Sequence, residues 1–541
     1  MPSEMLPDRD LIGDALPAVD GASAPERPSD YASALPQLDA ADADFAALRA
    51  LFAAHRYDES NICARTEIPA IYDFACRTHV RGNTPPEHGL DALIWVFLDC
   101  QSMHPDQMDR LLGADSAALL QRLGLLEPDG EQVVGTVLLY PTAGVYLISD
   151  RPTFSVAGIT LKERATDLVY PAITSSVRVF VSTLPAAAGT RHLELCSGTG
   201  IAALDAVRRG ATHAWAIDIT ARSTHFAAFN ARMNGFDNVT ALQGDLYAPV
   251  AGMQFDVISA HPPYVPSMST EFIYRDGGED GEQISRAIIR GLPEFLAPGG
   301  IFHCTCTVTA RKGKAVPHRL REVLGQASDE FDLVLLGNGT SDFSRHFTKE
   351  LLKANAAGVP GVVAQIRRFH ELEVERMEFC TIVLRRHGQP RKGATIAVER
   401  DGTTRWEEVA WLLGLQDLLG EGERALPRLL EVRPRLSSGA RFSLTYTASP
   451  GSEEVWTPTE GQVAVSYPFS GRVVVSAGDA AFLASCTGDR TFGRILRDLQ
   501  DEGSLPSDLP PTQFLRTMVP LIAEGVLETD ILPFPTRSST Q

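Results

Sequence analysis

The sequence predicts an α/β protein built on a seven-stranded, doubly wound sheet, with smaller helical, winged-helix-like domains before and after it. Three observations carry this expectation. From Arg191 onward, apolar runs of strand length alternate with helical stretches at the period of a parallel sheet with crossovers. Seven such runs fall between His192 and Leu384. The first of them ends in a glycine-rich turn that opens a helix.

A chain of 541 residues, 44% hydrophobic and 22% charged, is long enough for several domains and a large core. Lys and Arg total 49 against 68 Asp and Glu, a formal net charge of −19, and that field repels phosphate backbones. Nucleic acid is therefore a disfavoured partner. Residues 1–45 hold ten acids and two bases among many Ala, Pro and Ser, which predicts an acidic tail over 1–44 unable to bury enough surface to order itself. Eight cysteines without paired spacing fit neither a disulfide framework nor a zinc site, so no metal is expected and a reducing cytoplasm is the expected setting. No basic-then-apolar leader stands at Met1 to Asp20, and no stretch nears the roughly 20 apolar residues of a membrane span.

In chain order, residues 45–150 read as a first helical domain. Phe45, Leu48, Leu51 and Phe52 recur at helical spacing. Three helical stretches, from Ala92, Gln107 and Ala117, precede strand-like runs around Val133 to Tyr140 and Val145 to Ile148, a winged-helix order. Its second helix offers Arg110 against Asp109, so protein packing or substrate capping fits it better than DNA reading. Residues 151–390 form the sheet domain, with strands at His192, His213, Val239, Phe255, Ile301, Phe331 and Phe379. Residues 391–541 form a C-terminal domain whose end, from Thr491 through Phe514 to Gly525, again has winged-helix character without surplus positive charge.

Four stations recur where strands end. Glu194-Leu-Cys-Ser-Gly-Thr-Gly closes the first strand with a carboxylate and small residues, which let a ligand approach the backbone beside a helix N-terminus. Taken by itself, that turn fits NAD, FAD, S-adenosylmethionine or a plain tight turn. Asp218 ends the second strand, where an acid can accept from both hydroxyls of a ribose. Gly244-Asp-Leu ends the third, placing Asp245 and the Leu246 amide where an adenine could be read. His261-Pro-Pro-Tyr follows the fourth; its prolines stiffen the turn and leave carbonyl acceptors at the carboxyl edge of the sheet.

In that order these four segments resemble the class I S-adenosylmethionine-dependent methyltransferases, with their Rossmann-like sheet. Within that family they are most similar to the branch with an Asn/Asp-Pro-Pro-Tyr turn, which includes release-factor glutamine and ribosomal RNA guanine-N2 methyltransferases. The resemblance covers roughly Thr174 to Arg386, including Tyr274-Arg-Asp-Gly-Gly and Leu296-Ala-Pro-Gly-Gly. It implies an enzyme that uses S-adenosyl-L-methionine as methyl donor. It also implies that the loop of Glu194, Cys196, Gly198 and Gly200 holds the methionine end, Asp218 the ribose, and Asp245 with Leu246 the adenine. Catalysis falls to His261, Pro262 and Tyr264, and acceptor binding to Pro263, Tyr264 and Arg275. Plainer roles stay open beside these: Cys196 as packing, Tyr264 as a packing aromatic, Arg275 and Asp276 as a surface ion pair, and Asp205 as a solvated helix charge. Cys304 and Cys306 share a strand face and read as core.

His261 departs from the branch, which has Asn or Asp there. A neutral imidazole offers one lone pair where a carboxamide oxygen offers two, and its ordinary pKa near 6.5 suits it to take a proton from an attacking group. The expected reaction is methyl transfer to a nucleophilic heteroatom, with nitrogen leading, of a small molecule or protein side chain. Two alternatives stand beside it: methylation of an RNA base, and a non-catalytic cofactor-binding scaffold.

Overall fold

A computed structural model describes residues 35–76, 85–151, 154–155, 158–159, 166–268, 272–342, 347–348, 359–388, 391–420, 422, 425–448, 456–476 and 479–535. The acidic tail expected over 1–44 lies outside them up to residue 34. The described residues divide into two compact units: Met1–Gln326 with Asn338–Arg386, and Ala327–Gly337 with His387–Gln541.

The first unit begins with helices α1 (Asp42–Ala54), α2 (Glu59–Thr66), α3 (Pro105–Leu112) and α4 (Ser116–Arg122). Two antiparallel hairpins follow: β1 (Leu126–Asp129) with β2 (Gln132–Gly135), and β3 (Val137–Thr142) with β4 (Val145–Asp150). The helical spacing of Phe45, Leu48, Leu51 and Phe52 does what periodicity asks, since all four are buried along one face of α1. That face packs on the sheet domain: Phe45 meets Phe229 edge to face at 5.2 Å. The helices and α/β layers thus share one hydrophobic core, with Asn230 bridging the Ile148 amide at 2.8 Å.

Helix α5 (Ser175–Ser182) leads into β5 (Arg191–Leu195), followed by α6 (Ile201–Arg208), β6 (His213–Asp218), α7 (Ala221–Asn234), β7 (Val239–Gln243) and β8 (Phe255–Ala260). Then come α8 (Gln283–Phe295), β9 (Leu296–Arg311), α9 (Val316–Leu324), β10 (Phe331–Asp342), α10 (Val359–Glu371) and β11 (Val374–Arg386). The unit's sheet runs β7-β6-β5-β8-β9-β11, parallel except for β11, which lies antiparallel to β9. Strand order reverses between β5 and β8, and the crevice at such a switch point is where open α/β sheets bind ligands. All seven expected strands are present. An eighth, β12 (Thr395–Glu399), pairs parallel with the first residues of β10 inside the second unit.

In that second unit, α11 (Trp406–Gly420) sends Gln416 Nε2 to the Leu333 carbonyl at 3.0 Å, and Arg391 donates to the buried Asp332 carboxylate at 2.6 Å. Strands Arg441–Ala448, Trp456–Val465 and Gly471–Val475 form an antiparallel sheet, and helices Phe492–Asp501 and Pro511–Ala523 follow. Among the described residues, no helix is long and apolar enough to cross a membrane.

Candidate active site

The carboxyl ends of β5, β6, β7 and β8 open on one cavity of about 480 Å³, within the range typical of small-molecule sites. Glu194, Cys196, Gly198, Asp218, Asp245, Leu246, His261, Pro262, Pro263, Tyr264 and Arg275 all line it. Gly200, the remaining expected site residue, does not line the cavity. It caps α6 with φ at +78°, where an added Cβ would come within 3.1 Å of Ala227 Cβ, so what it does in this fold is let two helices meet.

Glu194 is buried, and its two oxygens accept from the Ala202 amide at 3.1 Å and the Ala203 amide at 2.8 Å, at the head of α6. Burial pushes its pKa up to about 8, outweighing those two amides. The carboxyl group therefore shapes the turn through the helix it caps. Beyond it, Cys196 sits at φ +54° and Gly198 at φ +50°, and a Cβ added to Gly198 would meet nothing within 4 Å. This stretch of backbone faces open space that a ligand can enter. Burial raises the Cys196 thiol far above its ordinary range, which keeps it a neutral packing group.

Asp218 ties two stations together. Its Oδ2 accepts from the Gly198 amide at 3.0 Å, and its Oδ1 from the Thr220 amide at 3.1 Å and hydroxyl at 3.2 Å. Two carboxylate oxygens carry about four lone-pair sites, so capacity remains for an incoming hydroxyl. Asp245 is exposed at the rim, and Leu246 beside it takes φ +45°. With Asp167 and Asp276 also in the wall, acids outnumber the one lining cation, Arg275. Such a field suits a positively charged ligand. Open glycine backbone, a carboxylate with spare acceptor capacity and an acidic wall all fit S-adenosylmethionine, a nucleoside carrying a sulfonium and an ammonium group.

Opposite these stations stands the His261 turn. Its imidazole stacks on Phe180, from α5, and tilts against Tyr264, which meets Phe379 at 5.8 Å. Nε2 of His261 is buried without a hydrogen bond among the described residues. Burial lowers the ring's pKa to about 4, which corrects the sequence expectation of a base near 6.5: the imidazole is neutral at physiological pH. Residues 276–282 support the turn from behind. The Val265 amide donates to the Arg275 carbonyl at 3.0 Å, and a Cβ on Gly281 would sit 2.4 Å from the Tyr264 carbonyl oxygen.

Two other expectations change. Asp276 is buried, accepts from the Phe272 amide at 3.1 Å and lies 3.6 Å from Arg275, so this pair belongs to the cavity wall and not to a plain surface. Asp205 is buried too, held by Arg208 and Arg209 at 2.7 Å each, where a solvated helix charge was expected. Phe180, Tyr170 and Thr307, which also line the cavity, were missed. The signal for Phe180 was its place on a helix leading into the first strand; nothing local marks the other two.

Residues 170–330 match the family model described as methyltransferase small domain. This part of the chain is therefore similar to methyltransferase small domains. A ribosomal protein uL3 glutamine methyltransferase from Bradyrhizobium diazoefficiens is 33% identical over 164 residues, 28% of this chain and 48% of that protein. A release factor glutamine methyltransferase from Moorella thermoacetica is 33% identical over 120 residues, 20% of this chain and 42% of its own. A provisionally named protein N5-glutamine methyltransferase from Methanocaldococcus jannaschii is 35% identical over 115 residues, 20% of this chain and 57% of its own. The chain spans about half the length of the curated relatives it matches. The matched residues hold strands β5 to β9 and all of the cavity lining except Asp167, Leu168, Val169 and Met377.

Proposed function

We propose that the protein is an S-adenosylmethionine-dependent methyltransferase that methylates a nitrogen of a protein side chain. The observation that carries this reading is the convergence of Glu194, Asp218, Asp245 and the His261-Pro-Pro-Tyr turn, from four different strand ends, on a single cavity. The names of the relatives support a protein side-chain amide as the acceptor.

The cofactor supplies an electrophilic methyl carbon on sulfonium sulfur. Asp218 accepts ribose hydroxyls while its bond to the Gly198 amide holds the glycine turn open. Asp245 and Leu246, in the same cavity wall, would hold the adenine. The Pro262 carbonyl would accept an N–H of the acceptor and Tyr264 would lie along its planar face, holding the nitrogen for transfer; as the methyl–sulfur bond gives way to the methyl–nitrogen bond, the nitrogen's proton would leave through that hydrogen bond to solvent. Orientation of this kind can supply several kcal/mol of a barrier. His261, kept neutral by burial, contributes a fixed hydrogen-bonding nitrogen and no full charge. A reducing cytoplasm is the proposed setting, and the described cysteines are free thiols.

Calorimetric titration with S-adenosylmethionine, followed by mass analysis of a methylated cell extract, tests the reading. Wild type should bind, Asp218→Ala should lose at least about tenfold in affinity with its hydrogen bonds, and a protein should gain one methyl mass. Absence of cofactor binding, or a gain confined to RNA, would overturn it.

A further inference from the structure

A second cavity, of about 640 Å³, lies on the other face of β9. Side chains alternate along that strand: Thr307 lines the first cavity, and its neighbour Val308 lines the second. The remaining walls come from α8, α9, α10 and the segment that starts at Glu279.

Its chemistry is that of guanidinium groups in excess. Arg286 donates to both oxygens of Asp280, at 2.7 and 3.0 Å, and Arg311 reaches the same carboxylate at 2.6 Å. Arg319 donates to both oxygens of Glu282, at 3.1 and 2.7 Å. Thr309 donates to Glu282 Oε1 from its amide at 2.7 Å and its hydroxyl at 2.5 Å. Three guanidinium groups, only 11–25% exposed, therefore share two buried carboxylates. Mutual repulsion adds to burial in lowering the pKa of Arg311. One turn beyond Arg286, the exposed Arg290 has no partner among the described residues. At the rim, Glu279 is held by Arg368 at 2.7 Å and Glu322 lies 3.3 Å from His318. The lining totals five arginines against four carboxylates, in a chain whose net charge is −19.

A partly buried excess of cation is costly unless an anion completes it. Asp280 takes Arg286 as a forked pair and one bond from Arg311, and Glu282 takes Arg319 as a forked pair, so three guanidinium charges meet two carboxylates and the exposed Arg290 adds a fourth at the same cavity. A phosphate monoester puts three terminal oxygens and up to two negative charges on one centre, against a carboxylate's two oxygens and one charge, so it can accept from more of these guanidinium groups at once. We propose that this cavity binds a phosphate monoester of small-molecule size, anchored by Arg286, Arg290, Arg311 and Arg319. The site is independent of the methyl-donor cavity across the strand.

The test is calorimetric titration of the full chain with inorganic phosphate and with glycerol 3-phosphate, against succinate at matched ionic strength. Both phosphates should bind saturably and succinate should not. Arg290→Gln and Arg311→Gln should each weaken phosphate binding by about tenfold, the loss expected of one charge-assisted hydrogen bond. Arg290 is exposed and has no partner among the described residues, so its variant reports on the ligand even if Arg311→Gln fails to fold. No saturable phosphate binding, equal binding of succinate, or an unchanged affinity in Arg290→Gln would each overturn the proposal. Titration of the same preparation with S-adenosylmethionine is a separate measurement, so failure of one site is not confused with failure of the other.

Discussion

The imidazole of His261 lies almost parallel to the ring of Phe180, with centroids 5.3 Å apart and planes 14° apart. This stack, from a helix that precedes the sheet to a turn that follows its fourth strand, buries the imidazole in the cavity wall. It also decides the protonation state of the ring.

Burial lowers the pKa of His261 to about 4, so the folded state binds its proton more weakly than the unfolded chain does. Its contribution to stability is full above the unfolded value near 6.5 and is lost as pH falls toward 4. Urea unfolding at pH 7 and pH 5 should show His261→Asn losing about 2 kcal/mol less than wild type over that interval. Equal losses in both proteins would sink this account.

Glu194 has the opposite sign. Its pKa is raised to about 8, so its contribution is full below the unfolded value near 4.5 and fades as pH rises through 8. The decline in unfolding free energy between pH 6 and pH 8 should be shallower in Glu194→Gln by about 2 kcal/mol. An unchanged slope would mean that the carboxyl is ionised in the fold at neutral pH.

Two glycines near the cavity should respond in different ways. Ala at Gly281, at φ +77° and with its Cβ 2.4 Å from the Tyr264 carbonyl oxygen, should cost about 1–3 kcal/mol and displace the turn. Ala at Gly198, at φ +50° but facing open space, should cost about 1 kcal/mol while weakening S-adenosylmethionine binding, because its methyl enters the cavity. Thermal unfolding read beside cofactor titration separates the two, and normal cofactor affinity in Gly198→Ala would argue against ligand contact at this turn.

Phe229 ties the N-terminal helices to the sheet domain through Phe45. Phe229→Ala should lose about 3–5 kcal/mol, in one transition that takes α1 and cofactor binding together. Separate transitions would show that the N-terminal helices fold on their own.

Seven strands and the four stations at their ends were legible in the chain itself. Apolar runs, glycines, prolines and terminal acids act over a few neighbouring residues, so their pattern declares both the strand and the turn that closes it. Strands β6, β7 and β8 even begin at the expected His213, Val239 and Phe255. What packs beside a residue is a different kind of information. Whether Asp205 meets water or two arginines, whether Glu194 faces a ligand or a helix end, and whether His261 can hold a proton each depend on segments remote in sequence. Three arginines gathered on Asp280 and Glu282 come from α8, β9 and α9, and no local pattern brings them together. Sequence alone determined which chemical groups stand at the sheet's edge; the tertiary structure decided their charge and partners, because burial and Coulomb interactions depend on distance in space and not along the chain.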